Sequence, residues 1–148
     1  MLQWTHARWF RTVRRMETTS DATTNLDTTP NGERPPKMVN HTIFMLVRTT
    51  TAWLALTPPR RFAFVNDTIG PILARNPRVS MRFFDSEAFS ADFTDVIMWE
   101  TADVLAYQAV VEELRETLFW DAYFAIVKII ASIENAYAIH YDVTPAGQ

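Results

Sequence analysis

Apolar residues between positions 41 and 131 form four short segments typical of β-strands. Residues 41–48 (HTIFMLVR) are large, mostly apolar and partly β-branched, so they predict a strand in the middle of a sheet. Residues 78–84 (RVSMRFF) alternate between apolar and polar side chains, which predicts a second strand. Residues 95–100 (DVIMWE) and 125–131 (AIVKIIA) predict the third and fourth strands.

Helical periodicity fills the two long gaps between these strands. Thr57 precedes two prolines, a typical helix start, and Asn76 followed by proline ends that helix. Pro71 lies inside the helix and is expected to kink it. Thr101 or Asp103 caps a second helix, and a short closing helix is predicted over residues 133–140. The apolar face of the second helix is formed by Val104, Tyr107, Val111, Leu114 and Leu118.

The element order β-α-β-β-α-β predicts an α+β fold of the ferredoxin-like, split β-α-β type. Two right-handed crossovers of this order give a four-stranded antiparallel sheet with two helices on one face. The first, third and fourth strands are apolar on both sides, yet the helices can cover only one side. We therefore expect a second copy to cover the other side, giving a homodimer through the sheet face, a dimeric α+β barrel. The space between the two sheets is either filled by side chains or left as a small-molecule cavity.

The first 37 residues differ in composition from the rest. Residues 17–37 are dominated by Thr, Ser, Asp, Asn, Pro and charged residues, which predicts a disordered N-terminal extension. Residues 1–16 carry four arginines and no acid on an amphipathic pattern. This basic segment fits a mitochondrial transit peptide, a membrane-surface or partner-docking helix, or an unstructured extension. The predicted organisation is thus an extension over 1–37, an α+β domain over 38–142 and a tail over 143–148.

Charge and composition exclude several classes of function. Residues 38–148 carry eight Lys or Arg against thirteen Asp or Glu, so no basic surface for nucleic acid is expected. The chain contains no cysteine, which removes thiolate nucleophiles and cysteine-ligated metals. No apolar run is long enough for a transmembrane segment, and we predict a cytoplasmic protein, with the mitochondrion as the alternative.

Two cations stand out on the predicted strands. Arg82 alternates with Ser80 and Phe84 on the strand face expected to point away from the helices, where a guanidinium could clamp a carboxylate or enolate. The alternative is that Arg82 lies at a sheet edge, with its stem packed on Phe84 and its head paired with an acid or exposed to water. Lys128 lies in the middle of an apolar strand, where it is either a ligand contact or an edge-strand lysine that discourages aggregation.

Proton transfer and the walls of a cleft need further residues. We predict a catalytic set of Arg82, His41 and Asp85, in which Arg82 orients the anion and His41 or Asp85 moves a proton. The predicted ligand-binding residues are Phe44, Phe84, Trp99 and Lys128. Acidic residues crowd the connection between the second and third strands, but this connection lacks a glycine to turn it around an ion, so no metal site is predicted. No cofactor is predicted, because nucleotide, hydrolase and zincin motifs are absent.

Several segments resemble a known family. They are TAWLALTPPRR, DTIGPILARNPRVSMRFFDSEAFSA, DVIMWET and YFAIVKIIASIENAY, which occur in this order between positions 51 and 137. They are similar to the darcynins, small proteins of unknown function, and the resemblance covers about residues 41–141. By analogy of fold it also implies the dimeric α+β barrels, a group that includes cofactor-independent enzymes. Two functions stay open: a small cofactor-independent enzyme acting on a hydrophobic organic acid, or a non-catalytic dimeric module that binds a small molecule or a protein.

Overall fold

Four antiparallel strands form the sheet of the computed structural model, which describes residues 39–147. They are β1 (His41–Thr49), β2 (Ser80–Asp85), β3 (Asp95–Thr101) and β4 (Phe124–Ile133). Their spatial order is β2-β3-β1-β4, so β1 and β3 are central and the other two strands are edges. The predicted ferredoxin-like α+β fold is confirmed. The predicted extension over residues 1–37 lies outside the described residues.

Five α-helices and one π-helical turn complete this part of the chain. The helices are α1 (Thr51–Leu54), α2 (Pro58–Phe64), α3 (Gly70–Arg75), α4 (Val104–Arg115) and α5 (Ala136–Tyr141). The π-helical turn, Val65–Ile69, joins α2 directly to α3. The short helix α1 was not predicted from the sequence; the Thr50 side chain caps it by accepting a bond from the N–H of Trp53.

The π-helical turn lies just before the position where the sequence predicts a kink. Pro71 has no N–H for the carbonyl four residues earlier, and its ring crowds that carbonyl. The N–H of Gly70 donates to the carbonyl of Val65, a bond that spans five residues and widens the turn. The helix is thereby interrupted without being broken.

The core lies between the helices and one face of the sheet. It contains Ile43, Met45 and Val47 of β1, Ile97 and Trp99 of β3, and Tyr107, Val110, Val111 and Leu114 of α4. Asp103 caps α4 by accepting bonds from the N–H groups of Leu105 and Ala106, as one of the two predicted caps would. Phe119 and Phe124 close the end of the core next to β4.

A β-bulge interrupts the pairing between β1 and β4. Leu46 pairs with Lys128, but the next residue of β1, Val47, pairs with Ile126, so Val127 is an extra residue. Alternation therefore changes phase in β4: Ile126 faces the core with Val47, whereas Lys128 shares the opposite face with Leu46.

Candidate functional site

The face of the sheet opposite the helices carries the candidate site. Strand pairing identifies which side chains it presents, because directly paired residues of antiparallel strands point to the same side. We call this surface the open face. Its members are Thr42, Phe44, Leu46, Arg48, Ser80, Arg82, Phe84, Val96, Met98, Glu100, Ala125, Lys128, Ile130 and Ser132.

The centre of the open face is apolar and partly exposed to solvent. Phe44 of β1 lies between Met98 and Ile130, and the next row outward places Leu46 beside Val96. Met98 is buried, whereas Ile130 keeps 40% of its surface exposed. Polar side chains lie towards the edges of this patch. An apolar centre with a polar rim is the usual anatomy of a protein interface.

Arg82 lies on the open face, as the alternation of β2 predicts, and it already has partners there. One of its Nη atoms lies 3.5 Å from a carboxylate oxygen of Glu100 and 3.5 Å from the sulfur of Met98. Its guanidinium carbon is 5.9 Å from the centre of the Phe84 ring. This is the packed and paired alternative described above, so Arg82 is not a vacant clamp for an anion.

Lys128 reaches the open face because of the bulge at Val127, and its surroundings differ from those of Arg82. It pairs with Leu46 across the strands, and Ile130 follows it on the same face. It has no ion-pair partner among residues 39–147. Within the described part of the chain, Lys128 is thus an unpaired cation at the margin of an apolar surface.

Trp99 and His41 do not line the open face. Trp99, which the sequence predicts as a ligand-binding residue, points to the helices, is fully buried and packs edge to face on Tyr107. His41 pairs with Thr101 and has the same parity as Ile43, which places it on the helix side as well. Neither side chain can meet Arg82 through the sheet.

Asp85 belongs to a cluster of three carboxylates where β2 ends and β3 begins. It pairs with Asp95 at the end of β2, and carboxylate oxygens of Asp85, Glu87 and Asp95 all lie within 4.8 Å of one another. Burial, followed by the charges of Glu87 and Asp85, raises the pKa of Asp95 to about 6, although a hydrogen bond from Thr94 opposes the shift. The sequence marked these acids as crowded, but only the pairing of β2 with β3 shows which three meet.

The acidic connection from β2 to β3 is held against β1. A guanidinium nitrogen of Arg48 donates to the carbonyls of Ala91 and Asp92. The N–H of Thr94 donates to the carbonyl of Val47. Phe89, near the middle of this connection, is 92% exposed. The loop is therefore anchored at its second half and exposed at its tip.

The predicted catalytic set is not assembled in one place. Arg82 lies on the open face, whereas His41 lies on the helix side and Asp85 lies at the end of β2 among other acids. Three of the four predicted ligand-binding residues do lie together, since Phe44, Phe84 and Lys128 share the open face. Leu46, Met98, Glu100 and Ile130 were not singled out by the sequence. They share the two-sided apolar strands, and their membership follows once the strand register is known.

Comparison with known proteins identifies relatives of this chain. Residues 23–148 match a family profile described as Darcynin, domain of unknown function. A darcynin homolog of Granulibacter bethesdensis is 48% identical over 101 residues, which cover 68% of this chain and 82% of that protein. A darcynin homolog of Streptomyces avermitilis is 45% identical over 117 residues, which cover 78% of this chain and 94% of that protein. The profile match extends further than the segments that carry the resemblance in the sequence.

Among solved structures, the chain is similar to chlorite dismutase from Candidatus Nitrospira defluvii. In the complex with imidazole the match has a TM-score of 0.55 at 10% identity and covers 72% of this chain. It covers only 44% of the chlorite dismutase chain. At this identity the similarity shows the fold alone. No helix within residues 39–147 is long and apolar enough to cross a membrane.

Proposed function

Because the chain belongs to the darcynin family, whose function is unknown, we propose from the open face that it is a homodimeric binding module. Two copies pair through their open faces and hold a small hydrophobic anion between them. The observation that carries this proposal is the placement of Lys128, which has no ion-pair partner among residues 39–147 and lies beside a partly exposed apolar patch.

The apolar part of the open face supports the pairing of two copies. Phe84 and Ile130 keep 44% and 40% of their surfaces exposed, while Phe44 and Leu46 are half-buried. Covering such side chains gains roughly 25 cal/mol for each Å² of apolar surface removed from water. A two-fold axis places the same patch on both partners, so a surface that carries both cations and an anion can match itself.

Lys128 supports a bound anion between the two sheets. A lysine enclosed at an interface without a partner costs several kcal/mol, so the charge needs either water or an anion. The acid of the open face, Glu100, already pairs with Arg82 and is therefore not the partner of Lys128. An acidic ligand with an apolar body would satisfy Lys128 and pack on Phe44, Leu46 and Ile130.

The geometry gives less support to a cofactor-independent enzyme. Such a reaction needs a proton-transfer group within about 3 Å of the substrate atom it serves, directly or through one water. His41 lies on the other side of the sheet from the proposed anion, and Asp85 lies at the end of β2. A non-catalytic role for the open face therefore fits the residues better than the enzyme hypothesis does. A cytoplasmic location fits this proposal, and the compared relatives come from bacteria, where a mitochondrial transit peptide has no use.

Sedimentation velocity tests the pairing of two copies. We expect the full-length protein to sediment as a dimer at micromolar concentrations and Ile130→Asp to sediment as a folded monomer, because a carboxylate would be forced into the interface. The matched control is Leu105→Asp, since Leu105 is 79% exposed on α4 and lies on the helix side. A monomeric wild-type protein, or a dimer that survives Ile130→Asp, would contradict the proposed pairing.

Native mass spectrometry tests the anion. The dimer expressed in a heterologous host should retain a small acidic molecule, and Lys128→Gln should remain dimeric but lose it. Arg78→Gln is the control, because Arg78 lies outside the open face and forms an ion pair with Asp103, with 2.8 Å between nitrogen and oxygen. If wild-type dimers carry no ligand and bind none from a panel of aryl and alkyl carboxylates, the open face is a dry interface and the binding role is wrong.

A further inference from the structure

A second candidate site lies on the helix side of the sheet, at the π-helical turn. A groove of about 340 Å³ runs between α2, the π-helical turn and the residue that precedes β4. This volume is at the small end of the range of ligand sites, and it suits a molecule the size of an amino acid. Six of its lining residues carry the argument: Leu56, Arg60, Phe64, Asp67, Thr68 and Tyr123.

The floor of the groove is aromatic and firmly held. The rings of Phe64 and Tyr123 meet edge to face with centres 4.9 Å apart, and Trp53 packs against both. The backbone of Tyr123 is fixed on both sides, because its N–H donates to Leu118 and its carbonyl accepts from Thr50. The floor therefore needs little reorganisation to receive an apolar group.

The rim of the groove carries one cation, Arg60, and one anion, Asp67. Arg60 and Asp67 are exposed, and neither forms an ion pair with any residue in the range 39–147. The neighbouring Arg61 shows the contrast, since it donates to the carbonyls of Trp53 and Leu54 and lies over the Trp53 ring. Thus the two charges at the rim are available to a ligand.

Two hydroxyl groups add to the polar groups of the groove. The side chains of Thr68 and Tyr123 line it, and neither hydroxyl has a hydrogen-bond partner within the described part of the chain. The π-helical turn supplies Asp67 and Thr68, so the extra width that Pro71 imposes helps shape this wall. Single π-helical turns within α-helices occur frequently at functional sites.

We propose that this groove binds a small zwitterion with an aromatic body, such as a free aromatic amino acid. Arg60 receives the carboxylate, Asp67 receives the ammonium group, and the apolar body packs on Phe64 and Tyr123. A ligand of this class uses both charges at once, whereas a simple acid or a simple amine would leave one of them unmatched. The proposal is independent of the open face, which is on the other side of the sheet.

Isothermal titration calorimetry of the full-length protein with three probes tests this site. The first probe, phenylalanine, carries both a carboxylate and an ammonium group. Phenylpropionate carries the carboxylate alone, and phenethylamine carries the ammonium group alone. We expect phenylalanine to bind about tenfold or more tightly than either of the others, about 1.4 kcal/mol. Equal binding of phenylpropionate, or no binding of any of the three probes, would overturn the proposal.

Substitutions at the rim locate the binding. Arg60→Gln and Asp67→Asn should each weaken phenylalanine binding about tenfold or more. Arg78→Gln and Glu116→Gln change the same kinds of charge outside the groove and should leave it unchanged. Lys128→Gln should also leave it unchanged, which separates this site from the proposed anion site of the dimer. Unaltered binding in both rim variants would place the ligand elsewhere and contradict the proposal.

Discussion

The strands β3 and β4 are both rich in apolar residues, yet the chain buries them very differently. Every residue of β3 is buried or half-buried, including its polar ends, Asp95 and Thr101. In β4 only Phe124 is buried, and Val127, Ile129, Ile130 and Ile133 are each at least 40% exposed. The difference follows from position, because β3 has a strand on each side and β4 is an edge.

This comparison shows that the hydrophobicity of a strand does not reveal whether its own chain covers it. By sequence β4 is as suited to a sheet centre as β3, since it reads FAIVKIIASI. An exposed apolar edge strand of ten residues is a surface on which another chain can assemble. Lys128 is the only charged residue in β4, and it lies on the open face rather than towards the helices. Of the exposed residues of β4, Ile130 lies on the open face, whereas Ile129 and Ile133 pair with Met45 and His41 and share the helix side. The exposure of Ile130 therefore supports the proposed dimer.

An isoleucine-to-alanine substitution should have its largest effect in the central strand β3. Ile97→Ala removes a side chain that is fully buried in β3, and it should lower the free energy of unfolding by about 2–5 kcal/mol. Denaturant unfolding followed by circular dichroism measures this loss. A loss below about 1 kcal/mol would mean that the core under β3 can collapse into the cavity, and the contrast with β4 would disappear.

The acidic end of β3 should make stability depend on pH. Burial raises the pKa of Asp95 from its ordinary value of 3.8 to about 6 in the folded chain, so the folded state holds the proton more tightly. The free energy of unfolding should thus fall as the pH rises from about 4 to 6 and stay low above that, by about 3 kcal/mol in total.

Asp95→Asn provides the test of this pH dependence. Its amide oxygen can still accept from Thr94, but it carries no charge near Asp85 and Glu87. The variant should be more stable than wild type at pH 7 and equal to it near pH 4, as thermal melts at both pH values would show. Asp92→Asn in the same loop lies outside the cluster and serves as the control. A wild-type curve that rises with pH over this interval would contradict the assignment.

The smallest effect is expected in β4. Ile130→Ala should lower the unfolding free energy of the isolated subunit by only about 1 kcal/mol, because much of the side chain is already in water. The loss should grow with protein concentration if the open faces pair, since the dimer buries Ile130 further. Denaturant titrations at two protein concentrations measure this. A loss as large as that of Ile97→Ala in dilute protein would show that the two strands are equally covered.

The fold was predictable because several local signals agree. Alternation in β2, the apolar run of β1 and the cap at Asp103 each indicate the element that the structure contains. Helix α1 was missed, since four residues are too short to show a period. The π-helical turn was anticipated only as a kink, because Pro71 fixes where the helix is disturbed but not how its hydrogen bonds rearrange.

The site was less predictable than the fold, for a reason visible at three residues. Alternation places Arg82 correctly, because the two faces of β2 differ in polarity. Trp99 and His41 lie in strands that are apolar on both sides, where alternation does not tell one face from the other. The facing of Arg82 could thus be predicted, whereas the facing of Trp99 and His41 required the register. The roles predicted for these residues in catalysis and binding stay predictions.

The extra residue at Val127 allows Ile126 and Lys128, two positions apart, to face opposite sides of the sheet. The same residues paired without a bulge would put both side chains on one side, which would carry the ammonium group beneath the helices or turn Ile126 out into water. Deleting Val127 would instead make Ile126 and Lys128 neighbours, which already point to opposite sides, and the strand would pair regularly with both side chains in place. The bulge thus absorbs one surplus residue and keeps the charge of this strand out of the hydrocarbon interior.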